Sequence, residues 1–202
     1  MIQPSVYSRE QIMDAAFELL RVRGWRAVTT RAIAKKIGSS TMPIYSHVRS
    51  VEELEKEMRL KARKLLKEYQ QRSYTEQVLL NLAFGYVVFA RDEKMLFRFL
   101  YLEQPDNYDL ESNGAMKESF IAEFGLESDE GRELAALKET GQEAVVRYAW
   151  IFTHGLAMLV NGGAFGTESD EKIMRYLMNA GEAFYVWGIN KGGNIDDADR
   201  KE

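Results

Sequence analysis

The chain has 202 residues, of which 46% are hydrophobic and 29% charged, values typical of a soluble globular protein of one domain or two small ones. It contains no cysteine, which excludes disulfides, thiol catalysis and zinc-finger sites. Residues 1–71 hold 14 Lys and Arg against 8 Asp and Glu, a net charge of +6, whereas residues 72–202 hold 13 against 23, a net charge of −10. This asymmetry favours a nucleic-acid-binding N-terminal third, with chance segregation of solvated charges as the alternative.

The N-terminal sequence MIQPSVYSREQ lacks the apolar stretch of a signal peptide. No run approaches the roughly 18 consecutive apolar residues of a membrane span. We therefore expect a cytoplasmic protein with no membrane partner.

Apolar residues at helical spacing predict a first helix with Ser8 as its N-cap and Gly24 at its end. Trp25 follows and is expected to pack beneath the next helices. A second helix is predicted to begin after the N-cap Thr29. Gly38 ends it, because glycine adopts a positive φ without steric cost.

A third, short helix is predicted at about residues 41–47. It is too short to be stable alone, so it must pack through Ile44 and Val48. Pro43 is compatible with its first turn, where the missing N–H is no loss. A helix, a glycine-containing turn and a second helix that displays polar and aromatic side chains is the helix-turn-helix pattern of DNA-binding proteins.

The run GWRAVTTRAIAKKIG, followed by SSTMPIYSHV and SVEEL, resembles the tetracycline-repressor-like (TetR) family of bacterial one-component regulators. The resemblance covers about the first third of the chain. It implies an all-α fold of about nine helices, with a three-helix DNA-binding domain at residues 1–49. A ligand-sensing and dimerisation domain would follow at residues 50–202, with a connecting helix at 50–70. It further implies a homodimer on a palindromic double-stranded DNA operator, most often a repressor, that an unknown small-molecule effector releases.

Nine candidate DNA contacts combine residue type with this resemblance. Arg31 is expected to read guanine through two hydrogen bonds, and hydroxyl groups suit phosphate oxygens. Tyr45 and His47 match family positions that contact the backbone. Met42 and Pro43 either contact a thymine methyl or only shape the start of the helix. The complete set is Thr30, Arg31, Ser40, Thr41, Met42, Pro43, Tyr45, His47 and Arg49. For each, a solvated or structural side chain is the alternative.

The connecting helix is predicted to begin with a capping box at Ser50 and Glu53, with a buried stripe that consists of Val51, Leu54, Met58, Ala62, Leu65 and Tyr69. At the position of Val51 the family usually has a lysine that touches a phosphate, so Arg49 is expected to replace that contact in part. Further helices are predicted near residues 75–91 and 94–103, with one kinked unit as the alternative for these two, then near 115–124, 129–139 and 142–161, and after residue 170. Whether Gly141 interrupts the chain before the helix at 142–161 is left open.

Aromatic and methionine side chains are dense after residue 84, as in pockets for apolar or planar ligands, although an ordinary core is the more common alternative. The candidate effector contacts are Phe89, Phe97, Tyr101, Phe120, Phe152 and His154. The last two helices carry more apolar surface than a small monomer needs, and WIFTHGLAML resembles the penultimate, dimer-forming helix of the family. The candidate dimer contacts are Trp150, Leu156, Leu159, Leu177, Ala180 and Phe184.

Enzymatic signatures are missing from the sequence. It has no G-x-S-x-G, P-loop or H-E-x-x-H motif, and only two histidines. We therefore expect no catalysis, no metal site and no cofactor. A nonspecific or architectural DNA-binding protein without a ligand is the alternative function.

Overall fold

Every regular element in the computed structural model is helical over the residues it describes, which are 7–103, 128–164 and 169–191. The predicted all-α fold is thereby confirmed. The described helices are α1 (Arg9–Arg23), α2 (Thr30–Ile37), α3 (Met42–His47), α4 (Val51–Gln70), α5 (Val78–Asp92), α6 (Lys94–Tyr101), α7 (Asp129–Ala135), α8 (Glu139–Asn161) and α9 (Asp170–Lys191). A 3-10 turn at Trp25–Ala27 lies between α1 and α2. The helix predicted at 115–124 lies outside the described residues.

Capping hydrogen bonds and a glycine set the ends of α1 and α2 at the residues that the sequence predicts. The Ser8 hydroxyl accepts a hydrogen bond from the Gln11 amide, and the Gln11 side chain accepts one from the Ser8 amide, forming a full capping box. The Thr29 hydroxyl accepts the Ala32 amide at 3.1 Å. Gly38 has φ 70° and ψ 33°, the left-handed conformation that ends α2.

Two predicted details of the longer helices are wrong. The buried stripe of α4 consists of Leu54, Met58, Ala62, Leu66 and Tyr69. Val51 is exposed and Leu65 lies at the edge of the stripe, because the stripe advances mostly in steps of four. The helix predicted from residue 142 begins at Glu139 instead, so Gly141 lies inside it and does not interrupt it. A Cβ at Gly141 would come within 3.3 Å of the Gly188 carbonyl oxygen of α9, which favours glycine at this position.

The described chain forms two compact units. The first unit comprises residues 7–67 and 92–103, and its fully buried side chains include Ile12, Leu20, Ile33, Met58 and Phe97. It therefore contains α6 as well as α1 to α3 and most of α4. The predicted functional boundary at residue 49 stays a prediction.

The second unit comprises residues 68–91, 128–164 and 169–191. Phe84 and Phe89 of α5 are fully buried in it, and α8 and α9 pack along each other. The buried side chain of Asn161 donates to the Ala90 carbonyl oxygen at 2.8 Å, which fixes the end of α8 against α5. Among the described helices, none combines the length and the apolar character needed to cross a bilayer.

Candidate nucleic-acid interface

The helix-turn-helix is built from α2, the turn at Gly38 and α3. Ile33 and Ala34 of α2 and Ile44 of α3 are buried, so the two short helices share one core with α1. This burial supplies the stability that α3, with six residues, lacks by itself.

Tyr7 adds a contact to the helix-turn-helix that the sequence did not predict. Its hydroxyl donates to the carbonyl oxygen of Gly38 at 3.3 Å. The contact ties the chain that precedes α1 to the turn between α2 and α3. It joins residues 31 positions apart, and a lone tyrosine before a helix gives no local signal of such a partner.

The outward face of α3 displays Met42 and Tyr45, which are 72% and 67% exposed. Thr41 precedes α3 without a side-chain capping bond, and Pro43 lies in its first turn. The Ser46 hydroxyl donates to the Met42 carbonyl oxygen at 3.1 Å within the same helix. Among the described residues, this six-residue helix therefore presents a large apolar side chain and a phenol mostly to solvent.

Positive charge surrounds these side chains. Between Leu19 and Val51 the sequence holds seven basic residues and no acidic one. They are Arg21, Arg23, Arg26, Arg31, Lys35, Lys36 and Arg49, and all of them are exposed. Such an uninterrupted basic segment suits a polyanion and gives salt-dependent attraction to DNA.

The start of α4 fixes the position of Arg49. The Ser50 hydroxyl accepts the Glu53 amide at 3.1 Å, as predicted for the N-cap. The Glu53 carboxylate accepts the Arg49 amide at 3.1 Å, one residue earlier than a capping box requires. The Glu52 backbone amide, and then the Ser50 hydroxyl, lower the pKa of Glu52.

Helix α1 is fastened to α4 by exposed ion pairs. The Arg9 guanidinium bonds Glu57 at 3.0 Å and Glu53 at 3.2 Å, and the bond to Glu57 raises the pKa of Arg9. Lys61 contacts Asp14 at 2.5 Å. These pairs join α1 to α4, although each exposed pair contributes only about 0–1 kcal/mol.

The predicted effector contacts are divided between the two units. Phe97 and Tyr101 belong to the first unit, whereas Phe89, Phe152 and His154 belong to the second. Phe89 and Phe97 are fully buried core residues. Phe120 lies outside the described residues.

His154 is the half-buried polar group of this set. Its Nδ1 lies 2.8 Å from the Tyr86 hydroxyl, and its ring stacks on Trp150 with 5.2 Å between centroids and 8° between planes. Burial lowers the pKa of His154, which favours a neutral imidazole.

The predicted dimer contacts differ in their exposure within the protomer, and their role in a dimer stays a prediction. Leu156 and Leu177 are already buried inside the protomer, so they have little surface left to give to a partner. Trp150, Ala180 and Phe184 are half-buried, and Leu159 is 48% exposed. Other apolar residues of the same two helices are also exposed, and these are Ile151, Tyr176, Met178, Val186 and Ile189.

Two further features of the described residues bear on ligands. A cleft of about 170 Å³ at the end of α4 is lined by Gln70, Gln71, Arg72, Ser73, Val78, Asn81 and Leu82, and none of the predicted effector contacts is among them. In the same described part of the chain, no three His, Asp or Glu side chains come together as metal ligands.

Comparisons with known proteins agree with this geometry. Residues 12–58 match the family model for bacterial regulatory proteins of the tetR family. An uncharacterized HTH-type transcriptional regulator of Mycobacterium tuberculosis is 34% identical over 59 residues, or 29% of this chain. The alignment spans about a quarter, 27%, of that relative's length. The match covers most of α1, all of α2 and α3, and the start of α4, so the similarity to bacterial regulatory proteins of the tetR family lies in the helix-turn-helix and the helices that flank it.

Proposed function

We propose that this protein is a ligand-responsive transcriptional regulator that binds a palindromic operator as a homodimer and represses the promoter that contains it. The observation that carries the proposal is the outward face of α3. Met42 and Tyr45 are largely exposed there, within a segment of seven basic and no acidic residues that matches the family model.

Base recognition is assigned to α2 and α3. Arg31, exposed in the first turn of α2, donates two hydrogen bonds to guanine O6 and N7, and Met42 with Pro43 contacts a thymine methyl. Thr30, Ser40, Thr41, Tyr45, His47 and Arg49 contact the sugar–phosphate backbone and set the register. Because Val51 is 64% exposed and has no charge, Arg49 supplies the cation at the start of α4.

Dimerisation is assigned to the exposed faces of α8 and α9. Along α8 the exposed positions recur as Thr140, Glu143, Arg147, Ile151, Gly155 and Leu159, and the last three form an apolar stripe. Val186 and Ile189 continue the apolar surface on α9. One small helix-turn-helix makes few base contacts, so a two-fold dimer that reads half-sites about 34–36 Å apart gains the specificity an operator needs.

The effector is assigned to the second unit, around His154. The Tyr86 hydroxyl, the neutral imidazole and the Trp150 indole place two polar groups and a flat aromatic face together. A planar, mostly apolar molecule with one hydrogen-bonding group matches this chemistry. Its binding would favour a state of the dimer with lower operator affinity, and operator DNA would reduce effector affinity by the same factor.

Selection of sites from random duplex DNA at a stated salt concentration tests the function. Enrichment of a palindrome with half-sites about one helical turn apart is the expected result. Binding without an enriched motif would favour the nonspecific, architectural alternative. No binding by the full chain, with or without candidate effectors, would refute the proposal.

A further inference from the structure

Helix α6 lies beyond the segment that matches the family model, yet it packs inside the first unit with the helix-turn-helix. Leu96, Phe97 and Phe99 of α6 have no exposed surface. The family match ends at residue 58, 36 positions before α6 begins at Lys94.

An ion pair between the exposed Arg21 and the buried Glu93 fastens the start of α6 to α1. The Arg21 guanidinium donates from Nε to Glu93 Oε2 at 2.7 Å and from Nη2 to Oε1 at 2.5 Å. Glu93 is only 4% exposed, and this two-point contact places a guanidinium directly against its buried carboxylate. By contrast, the Asp14–Lys61 pair that joins α1 to α4 is exposed on both sides.

The second half of α6 contacts Trp25, which lies in the segment that leads into α2. The ring of Phe99 packs on Trp25 with 5.2 Å between centroids. The Arg59 guanidinium lies 4.5 Å from the Phe99 centroid and donates to the Phe99 carbonyl oxygen at 3.0 Å. Trp25 begins the 3-10 turn whose chain reaches the α2 cap, Thr29, four residues later.

We propose that Glu93 and Phe99 are positioning residues for DNA recognition. They hold the end of α1 and the turn at Trp25, and thereby set the placement of α2 and its base-reading Arg31. The residues act through Arg21 and Trp25 and do not themselves touch DNA. This inference rests on the proposed function, and its test separates the two.

The test uses full-length protein with Glu93→Gln and with Phe99→Leu. The measured quantity is the ratio of affinity for the selected operator to affinity for a scrambled duplex at the same salt, corrected for folded fraction. Nonspecific binding depends on charge and tolerates small displacements. If α2 is displaced in the two variants, the ratio of operator affinity to scrambled-duplex affinity is expected to fall roughly tenfold, an effect comparable to the loss of one base contact. A purely structural role lowers both affinities together and leaves the ratio unchanged.

Each variant has a matched control. Asp14→Asn removes an ion pair of α1 that does not involve α6. Phe84→Leu truncates an equally buried phenylalanine of the second unit. Neither control is expected to change the ratio. An unchanged ratio in Glu93→Gln and Phe99→Leu, or an equal fall in the controls, would overturn the inference.

Amide hydrogen exchange supplies a readout that needs no DNA. In the two α6 variants, exchange at residues 29–48 is expected to rise at least several-fold, whereas the controls leave it unchanged. Faster exchange confined to α1 and α6 would also overturn the inference. A wild-type affinity ratio near one would refute the proposed function instead, and exchange alone would then decide whether α6 holds α2 and α3.

Discussion

Replacement of Gly85 by alanine is expected to destabilise the second unit, because α5 and the last turn of α4 meet backbone to backbone at this residue. A Cβ there would lie 2.7 Å from the Gln70 Cα and from the Tyr69 carbonyl carbon, and closer still to the Tyr69 carbonyl oxygen. These are backbone atoms, so no side chain can rotate away. The two segments must separate by roughly 0.7 Å or more to recover ordinary contact distances.

The magnitude follows from three contributions. Overpacking of this kind costs about 1–3 kcal/mol. The Tyr74 hydroxyl donates to the same Tyr69 carbonyl oxygen at 3.1 Å, and loss of that bond adds about 1 kcal/mol. Alanine returns about 1 kcal/mol through its higher helix propensity. The net loss for Gly85→Ala is therefore about 2 kcal/mol in the free energy of unfolding.

Gly188→Ala provides the matched control. Its Cβ would also approach a neighbour at 2.7 Å, but that neighbour is the side-chain methyl Cγ2 of Val145. A side chain adjusts more readily than backbone, so the loss should stay below about 1 kcal/mol. Urea unfolding at one fixed protein concentration measures both variants, since a dimer makes stability depend on concentration. Equal stability of the two variants would refute the reasoning.

Three further variants test the proposed site and its electrostatics. Arg31→Ala should relax base preference at one position of each half-site, whereas Tyr45→Phe should weaken binding about equally on all sequences. Selection of sites from random DNA distinguishes the two results. A uniform loss of affinity in Arg31→Ala would contradict the base-reading role of Arg31. Burial lowers the native pKa of His154 below its unfolded value of about 6.5, so the stability it contributes is fully present above about pH 6.5 and is lost as pH falls toward the native pKa. Unfolding measured across pH should show a smaller acid-side decline in His154→Gln, and an identical profile would contradict this assignment.

Local signals made the N-terminal helices predictable. Ser8, Thr29 and Gly38 act within four residues of the groups they satisfy, so the sequence alone specifies where α1 and α2 begin and end. The outward face of α3 was predictable for the same reason, since burial of Ile44 fixes the rotation of a six-residue helix. In α4 the sequence predicted Leu65, and not Leu66, as a member of the buried stripe. Neighbouring residues of a helix point in directions only about 100° apart, so two adjacent leucines at the edge of a stripe are hard to distinguish.

Long-range partners were not predictable from the sequence. Arg21 and Glu93 stand 72 positions apart, and nothing near either residue specifies the other. Trp25 was expected to pack beneath the helix-turn-helix, but its partner Phe99 belongs to a helix assigned to the other domain. A helix that is apolar on nearly all sides, such as α8, offers no pattern that separates the inward Leu156 from the outward Leu159.

The exposed side of α8 gives a last prediction, the effect of Gly155→Ala, which is stabilising in an isolated chain and destabilising in a dimer that pairs through α8. Gly155 lies between Ile151 and Leu159 on this side, and a Cβ there would meet no atom within 4 Å in the protomer. In an isolated chain Gly155→Ala should therefore stabilise α8 by about 0.5–1 kcal/mol.

If α8 pairs with its copy across a two-fold axis, the added methyl enters the closest part of that interface. Gly155→Ala should then raise the dimer dissociation constant roughly fivefold or more, the effect of about 1 kcal/mol of overpacking, while thermal stability at dissociating concentrations rises. Sedimentation equilibrium over a concentration series separates the two effects. Leu159→Asp, which places a charge in the same stripe, should abolish the dimer outright. A dimer unaffected by both substitutions would exclude this face of α8 from the interface, because no other described residue is altered by either change.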